Sequence, residues 1–389
     1  MLRLSVYFFL SIMTMLSGVT YTLAASGADE PLSGSVSSSA TTVFDPKAEG
    51  CERGYDVADA PARAFRDHAG IIHLIATNHH NRALLGQSFD KLTHPCKMLF
   101  RAHQKVEAAA YDDYGWLTSF YTSNGTDVFA LVHNELHAFE RKDLCPSGDH
   151  VNCIEYSITG ALSKDGGQTF TRQGPPALIA SLPYAFNGKN PHLSGYSNPS
   201  NIIELGSKYY ALIASLDPKY SHSGICVIRT STLSDARSWR GWDGKGFNIQ
   251  FTSPYGTNAV TKPETCQPVG NGNLYYALGS VGRDRKSGIF IAVMRRNQWE
   301  HHDASNPAGV YITTSRNLLN WSKPSLLIAD NTVDPTGQTE MLYPSLIDPN
   351  AADRNFTDLT SAPLLFTVDS VKGKSFDSHK LVYRQVKID

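Results

Sequence analysis

One short pattern recurs five times along this chain of 389 residues, and it restricts the fold more than any other feature. A β-type run meets a Gly-containing turn, and a second β-type run follows. The copies are "DAPARAFRDHAGIIHLIAT" from Asp59, "DYGWLTSFYTSNGTDVFALVH" from Asp113, "NPSNIIELGSKYYALIAS" from Asn198, "ETCQPVGNGNLYYALGS" from Glu264, and "EMLYPSLIDP" from Glu340 leading to "APLLFTV". The third and fourth share Tyr-Tyr-Ala-Leu, which sets Tyr209 against Tyr275 and Asn198 against Glu264. A third run follows each pair, from "RALLGQSFDKL" in the first copy to "KLVYRQVKI" in the last. Gly, Asn, Asp and Pro separate the runs, and long amphipathic helical patterns are scarce. Such self-similarity predicts repetition of one supersecondary unit. The expected fold is all-β, a five-bladed β-propeller, because radial repetition protects strand edges. A six-bladed propeller with one degenerate blade and a β-sandwich are the alternatives.

The ends of the chain fit a secreted or periplasmic protein. Arg3 precedes an apolar run from Leu4 to about Leu16, and small residues follow at Ala24 and Ala25. Residues 1–25 therefore read as a signal peptide. Residues 26–42 are Ser/Gly-rich and aperiodic, which predicts a flexible leader. Residues 43–389 form the expected single domain, with no further segment apolar enough to span a membrane. Six cysteines in a secreted chain predict disulfides. Cys145 and Cys153 bracket a polar loop and make the first pair. Cys51–Cys96 and Cys226–Cys266 are the next expectation. No Cys/His spacing looks like a zinc site, and no metal or other cofactor is expected. Basic residues number 35 and acidic residues 36, which gives no electrostatic case for nucleic acid. The chain is expected to act as a monomer.

"ALSKDGGQTF", Ala161 to Phe170, holds a Ser-x-Asp-x-Gly-x-Thr-Phe spacing that resembles the Asp box of bacterial and viral sialidases. Its Ser and Asp can bond backbone N–H groups across a tight turn, and its glycines allow positive φ. "TLSDARSW" and "TTSRNLLNW" keep the Ser/Thr start and the aromatic end but lose the Asp-x-Gly core. The motif therefore marks a turn after the third strand of a blade, far from any central site.

In a propeller, first-strand starts and second-strand ends meet on one face, where a site can converge. The first-strand starts read Asp59, Asp113, Asn198, Glu264 and Glu340 or Tyr343. The second-strand ends read Asn78-His79-His80, Asn134-Glu135, Asp217, Arg283-Asp284 and Asp369. This is an acidic, aromatic-rimmed set. Asp59, Asp113, Glu264 and Glu135 are the candidate catalytic carboxylates, Glu135 being flanked by His133 and His137. Asn78, His79, His80, Arg82, Tyr196, Asn198 and Tyr343 are candidate substrate-binding groups. Asp67 and Glu204 read as turn residues.

The opening "DAPARAFRDHAGIIHLIAT" resembles the first blade of the five-bladed propeller glycosidases of glycoside hydrolase families 43 and 32. "PETCQP" is similar to the Glu-Cys-Pro region of family 32, although Thr265 separates Glu264 from Cys266. "TTSRNLLNW" resembles their recurrent Ser-x-x-Leu-x-x-Trp turn. The resemblance implies a glycosidase with Asp59 as base or nucleophile, Glu264 as acid, and Asp113 as a tuner of that acid. Two carboxylates flanking the bond are what glycoside hydrolysis needs. A non-catalytic carbohydrate-binding propeller is the second reading. A sialidase is the third, and it would need three arginines around one carboxylate, whereas Arg63, Arg66 and Arg82 all come from one copy.

Overall fold

The structure is a computed structural model, and it describes residues 32–105, 107–174, 177–217, 223–255, 264–297 and 306–388. The expected signal peptide and residues 26–31 of the expected leader lie outside the described residues. The fold is all-β: strands dominate, and the helices are single turns.

Among the described residues the strands run as five antiparallel meanders, which hydrogen-bond into four sheets. In the first, Ala58–Arg66 pairs with Ile72–Thr77, and Leu84–Gly86 and Leu92–Thr93 follow. The second runs Tyr114–Tyr121, Val128–His137, Ile154–Ser163, with Thr171–Arg172 and Leu178–Ala180 both on that third strand. The third runs Ile203–Leu205, Lys208–Leu216, Gly224–Thr230, Arg240–Trp242 and Phe247–Ile249. The fourth runs Leu278–Asp284, Phe290–Arg296, Gly309–Ser315 and Ser325–Ala329. The fifth runs Thr339–Ile347, Leu364–Val371 and Lys380–Ile388. Strand Ser194–Ser197 pairs with both the second and third meanders and merges their hydrogen bonding into one sheet.

The outer edge of the fifth meander comes from the other end of the chain. Thr41–Phe44 and Gly34–Val36 both pair with Lys380–Ile388. This corrects the expected leader: order begins before Val43. Thr41, Thr42, Val43 and Phe44 are good strand formers, and the Ser-rich stretch around them hid that signal.

The cores follow the alternation of strand side chains. Phe290, Ala292 and Met294 pack toward the third meander, while Ile291 and Val293 pack toward the fifth. Every neighbouring pair shares a buried cluster: first with second, second with third, third with fourth, and fourth with fifth. A fifth cluster joins the last meander to the first through Ala62, Leu74, Phe366 and Leu381.

The innermost strands meet around Arg63. Its guanidinium donates to Ser345 Oγ at 2.9 Å, to the Gly279 carbonyl at 2.7 Å and to the Pro199 carbonyl at 3.2 Å. These partners come from the fifth, fourth and third meanders. Ser119 Oγ of the second also bonds the Ser200 carbonyl. Burial pushes the Arg63 pKa down to about 9, and its partners are carbonyls and a hydroxyl rather than a carboxylate.

This crossing corrects the repeat alignment. Pro199 and Gly279 are the matching inner positions, since the carbonyls of both accept from the Arg63 guanidinium. Tyr209-Tyr210 begins a second strand, whereas Tyr275-Tyr276 leads into a first strand. Glu264 is therefore not a first-strand start. Pro268 and the turn Gly270–Gly272, with Asn271 at φ 51°, keep "CQPVGNGN" out of the sheet. Arg283-Asp284 ends a first strand, and the second strand of this meander ends at Arg296.

All three expected disulfides are present: Cys51–Cys96, Cys145–Cys153 and Cys226–Cys266. His94 lies beside Cys51 and Cys96, but both sulfurs are spent in the disulfide and offer no thiolate to a metal. Among the described residues, no helix is long and apolar enough to cross a membrane.

The turn after Ile154–Ser163 behaves as its spacing predicts. Ser163 Oγ accepts from Gly167 N at 2.8 Å, and Asp165 Oδ1 accepts from Gln168 N at 3.0 Å and Thr169 N at 2.9 Å. A Cβ on Gly167 would come within 2.3 Å of the Phe65 ring, so glycine is required for this approach to the first meander. Phe170 closes the shared core. Ser315 and Asn317 repeat the same roles in the fourth meander, accepting from Leu318, Leu319 and Asn320. Asp67 is a turn residue as expected, accepting from Ala69 N and Ile71 N.

Candidate active site

Pairing fixes which side chains share the site. In the second meander Tyr114 lies opposite Glu135, and Glu135 lies opposite Tyr156. Trp116 lies opposite His133 in the next row. Directly paired residues present their side chains on one face. Tyr114, Trp116, His133, Glu135, His137 and Tyr156 therefore line one surface. In the first meander Ala58 lies opposite Thr77, and Asn78 N donates to the Val57 carbonyl at 3.0 Å.

Glu135 is clamped on its own strand. Its Oε1 lies 2.9 Å from His133 Nε2 and its Oε2 lies 2.7 Å from His137 Nε2. Burial pushes the carboxyl pKa up, but the two histidine hydrogen bonds outweigh it and hold the pKa down at about 2. The same contact raises His137 against its own burial. Asp113 supports this arrangement: its Oδ2 accepts from His137 N at 2.9 Å. Burial raises the Asp113 pKa, and the nearby charges are those of Arg141, His137 and Glu140.

Asp59 has the opposite character. Tyr343 donates its hydroxyl to Oδ1 at 3.1 Å, and the Trp116 side chain donates as well. Both bonds favour the anion. Burial, followed by the charge of Glu135, outweighs them and pushes the Asp59 pKa up to about 7. Solvent still touches the residue, which is half-buried rather than sealed. The two carboxyls are thus near enough to act on each other, and their proton affinities are well separated.

Aromatic groups surround the pair. Tyr343 is raised well above the usual tyrosine value by the Asp59 charge and by burial. The charge of Glu135 also reaches Tyr156 and Tyr276. Burial raises the Tyr276 pKa to about 12, and its hydroxyl meets Ser197 Oγ at 2.8 Å. His79 packs edge-on to Trp116, Tyr114 and Tyr55, and burial lowers its pKa to about 4. Tyr55 is 47% exposed and stacks on His80, with centroids 4.5 Å apart.

The sequence candidates divide into two groups. Asp59, Glu135, His79 and Tyr343 converge, and Asp113 sits behind them. Half-buried Asn78 borders the set and accepts from His79 N. Half-buried Asn198 follows Ser197 at φ 47°. His80 and Arg82 instead hold the N-terminal segment, each bonding Glu52 Oε2 at 2.9 Å. Tyr196 is fully buried and accepts from Cys266 N at 3.0 Å, so it serves the core rather than a ligand. Glu264 is exposed, and the carboxylate that acts on Asp59 is Glu135.

Trp116, Tyr156 and Tyr276 were not singled out from the sequence. The pairing of Tyr156 with Glu135 needed the third-strand register. Glu155 was also missed. Burial raises it to about 7, yet Tyr255 Oη donates to it at 2.5 Å. It lies opposite Leu136, on the other face from Glu135, against a void of only about 10 Å³.

No protein-family model matches the chain, and no curated protein matches it either. Among solved structures it is similar to an α-L-arabinofuranosidase from Podospora anserina, at 9% identity and TM-score 0.48, covering 92% of this chain and 96% of that one. It is similar to a GH32 β-fructofuranosidase from Bombyx mori, at 12% identity and TM-score 0.45, covering 85% and 61%. It is also similar to a thermostable family-43 glycoside hydrolase, at 11% identity and TM-score 0.45, covering 86% and 89%.

Proposed function

We propose that the chain is a five-bladed β-propeller with its axis beside Arg63, and that it hydrolyses a glycosidic bond in the recess around Asp59 and Glu135. One observation carries this reading. Two neighbouring carboxyls in an aromatic recess have pKa values driven apart, to about 7 and about 2. Such a split assigns an acid and a base to two chemically similar groups. Asp59 is the proton donor, because it keeps its proton up to near-neutral pH. Glu135 is the anion that faces the positive charge developing on the sugar ring.

The steps balance. Asp59 gives its proton to the leaving oxygen as the C–O bond breaks. Glu135 stabilises the cationic ring and takes a proton from the water that adds to the anomeric carbon. Proton return to Asp59 through solvent restores the starting state. The resemblance implied Asp59 as base or nucleophile; its high proton affinity supports our reading of it as the acid. Three disulfides suit work in an oxidising, extracytoplasmic compartment.

Release of reducing ends from a polysaccharide panel tests the proposal. The wild type should release sugar, and Asp59→Asn and Glu135→Gln should each lower kcat by about 10²–10⁴-fold. Glycan binding without turnover, unchanged in both variants, would make the protein a lectin instead.

A further inference from the structure

The second strand of the fourth meander ends at Arg296, at the end of the meander where Glu135 and Asp369 lie near the ends of their own second strands and His79 and Asp217 follow theirs. The rim carboxylates there have partners. Glu135 lies between two histidines, Asp369 in the fork of Arg384 at 2.6 and 3.2 Å, and Asp217 against Tyr184. Arg296 differs. It is only 7% exposed, yet among the described residues no hydrogen bond or ion pair reaches its guanidinium. Its recorded contact is the Tyr275 ring, with the guanidinium carbon 5.9 Å from the centroid.

Arg296 lines a recess of about 470 Å³ together with Tyr275, Tyr276 and exposed Lys323, and among the described residues none that lines it is acidic. Ligand sites commonly measure roughly 300–1,000 Å³. Tyr276 belongs to this recess, and its hydroxyl meets Ser197 Oγ on the strand that pairs beside Tyr156, the cross-strand neighbour of Glu135. The guanidinium nitrogens are not sealed in the core but open onto the recess, where an anionic ligand can supply a counter-charge. The planar guanidinium fork matches two oxygens of a carboxylate or a sulfate. Tyrosine faces beside it can take a sugar ring.

We propose that this recess binds an anionic substituent of the substrate, a uronic-acid carboxylate or a sulfate ester, with Arg296 as its partner, so that the substrate is an acidic glycan. The statement about turnover rests on the hydrolase reading above, whereas the statement about binding stands without it.

Calorimetric binding and reducing-end release can be measured together on four probes: polygalacturonate, its carboxyl-reduced form, a sulfated galactan and its desulfated form. The variants are Arg296→Gln, Arg296→Lys and Lys323→Gln, each checked for an unchanged melting temperature. The wild type should bind one anionic probe about tenfold or more tightly over its neutral counterpart, the scale of one charge-assisted bond. The carboxylate and sulfate arms tell which anion it is. Arg296→Gln should erase that preference, and Arg296→Lys should keep only part of it. If Arg296→Gln fails to fold, Arg296→Lys and Lys323→Gln must still weaken the anionic probe selectively. Equal or tighter binding of the neutral probes overturns the inference, as does a preference that survives Arg296→Gln. Release from neutral probes alone would overturn the acidic substrate and leave the hydrolase. Anion-selective binding without release would do the reverse.

Discussion

Tyr343 reaches from the fifth meander and donates its hydroxyl to Asp59 in the first, 3.1 Å away. It does so from a left-handed backbone, at φ 52°, where the register of its strand shifts between Leu342 and Ser345. A non-glycine residue held there is strained, and such strain often marks working positions. The bond favours ionised Asp59, so it restrains a pKa that burial and Glu135 push up. Activity should fall as pH rises through about 7, where Asp59 loses its proton. Tyr343→Phe removes a donor to the anion and should move that basic limb to higher pH. A kcat/KM–pH profile of both proteins measures the shift.

The acidic limb belongs to Glu135. Replacing His137 or His133 by Phe removes one of the bonds that hold its pKa near 2. Each change should raise the acidic limb by about one to two pH units. A limb that stays in place in both variants would mean that the histidines do not set the charge of Glu135.

Function and stability should oppose each other at Asp59. Its folded pKa, about 7, lies above the ordinary value of 3.8. The native state therefore binds the extra proton between those values. The stability this gives is complete below about pH 4 and is lost as pH rises through 7. Asp59→Asn keeps an acceptor for Tyr343 and Trp116 but cannot ionise. It should stabilise the fold by about 1–3 kcal/mol at pH 8 and by little at pH 4. Urea denaturation at the two pH values measures the difference.

The turn at Asp165 should affect stability alone. Asp165→Ala removes acceptors for Gln168 N, Thr169 N, and the hydroxyls of Thr169 and Ser163. The expected cost is about 1–2 kcal/mol. kcat should not change, since the turn lies at the opposite end of its strand from Glu135.

The sequence made the repeats, the disulfides and the turn motif readable because each is local or compositional. Asp59, Glu135, His79 and Tyr343 were also readable, since strand-start and strand-end positions follow from the repeat. The fourth copy failed for a physical reason. Its Tyr-Tyr-Ala-Leu run matches the third copy in letters, but the Pro268–Gly272 segment cannot form a strand, so the match slips by one strand. That slip promoted Glu264 and hid Arg296 and Tyr276. The clamp on Glu135 was visible as His-x-Glu-x-His alternation, but its effect on charge depends on rotamers that spacing does not encode. Arg82 and His80 hold Glu52, about thirty residues away, a partner that local spacing does not reveal.

The split between the two carboxyls can be read without a substrate. Carboxyl-carbon NMR titration of the wild type, with Asp59→Asn and Glu135→Gln for assignment, follows both groups directly. Asp59 should titrate near 7 and Glu135 near 2, and Glu135→Gln should lower the Asp59 value by removing the neighbouring charge. Both carboxyls titrating together near 4, with Asp59 indifferent to Glu135→Gln, would exclude this division of acid and anion.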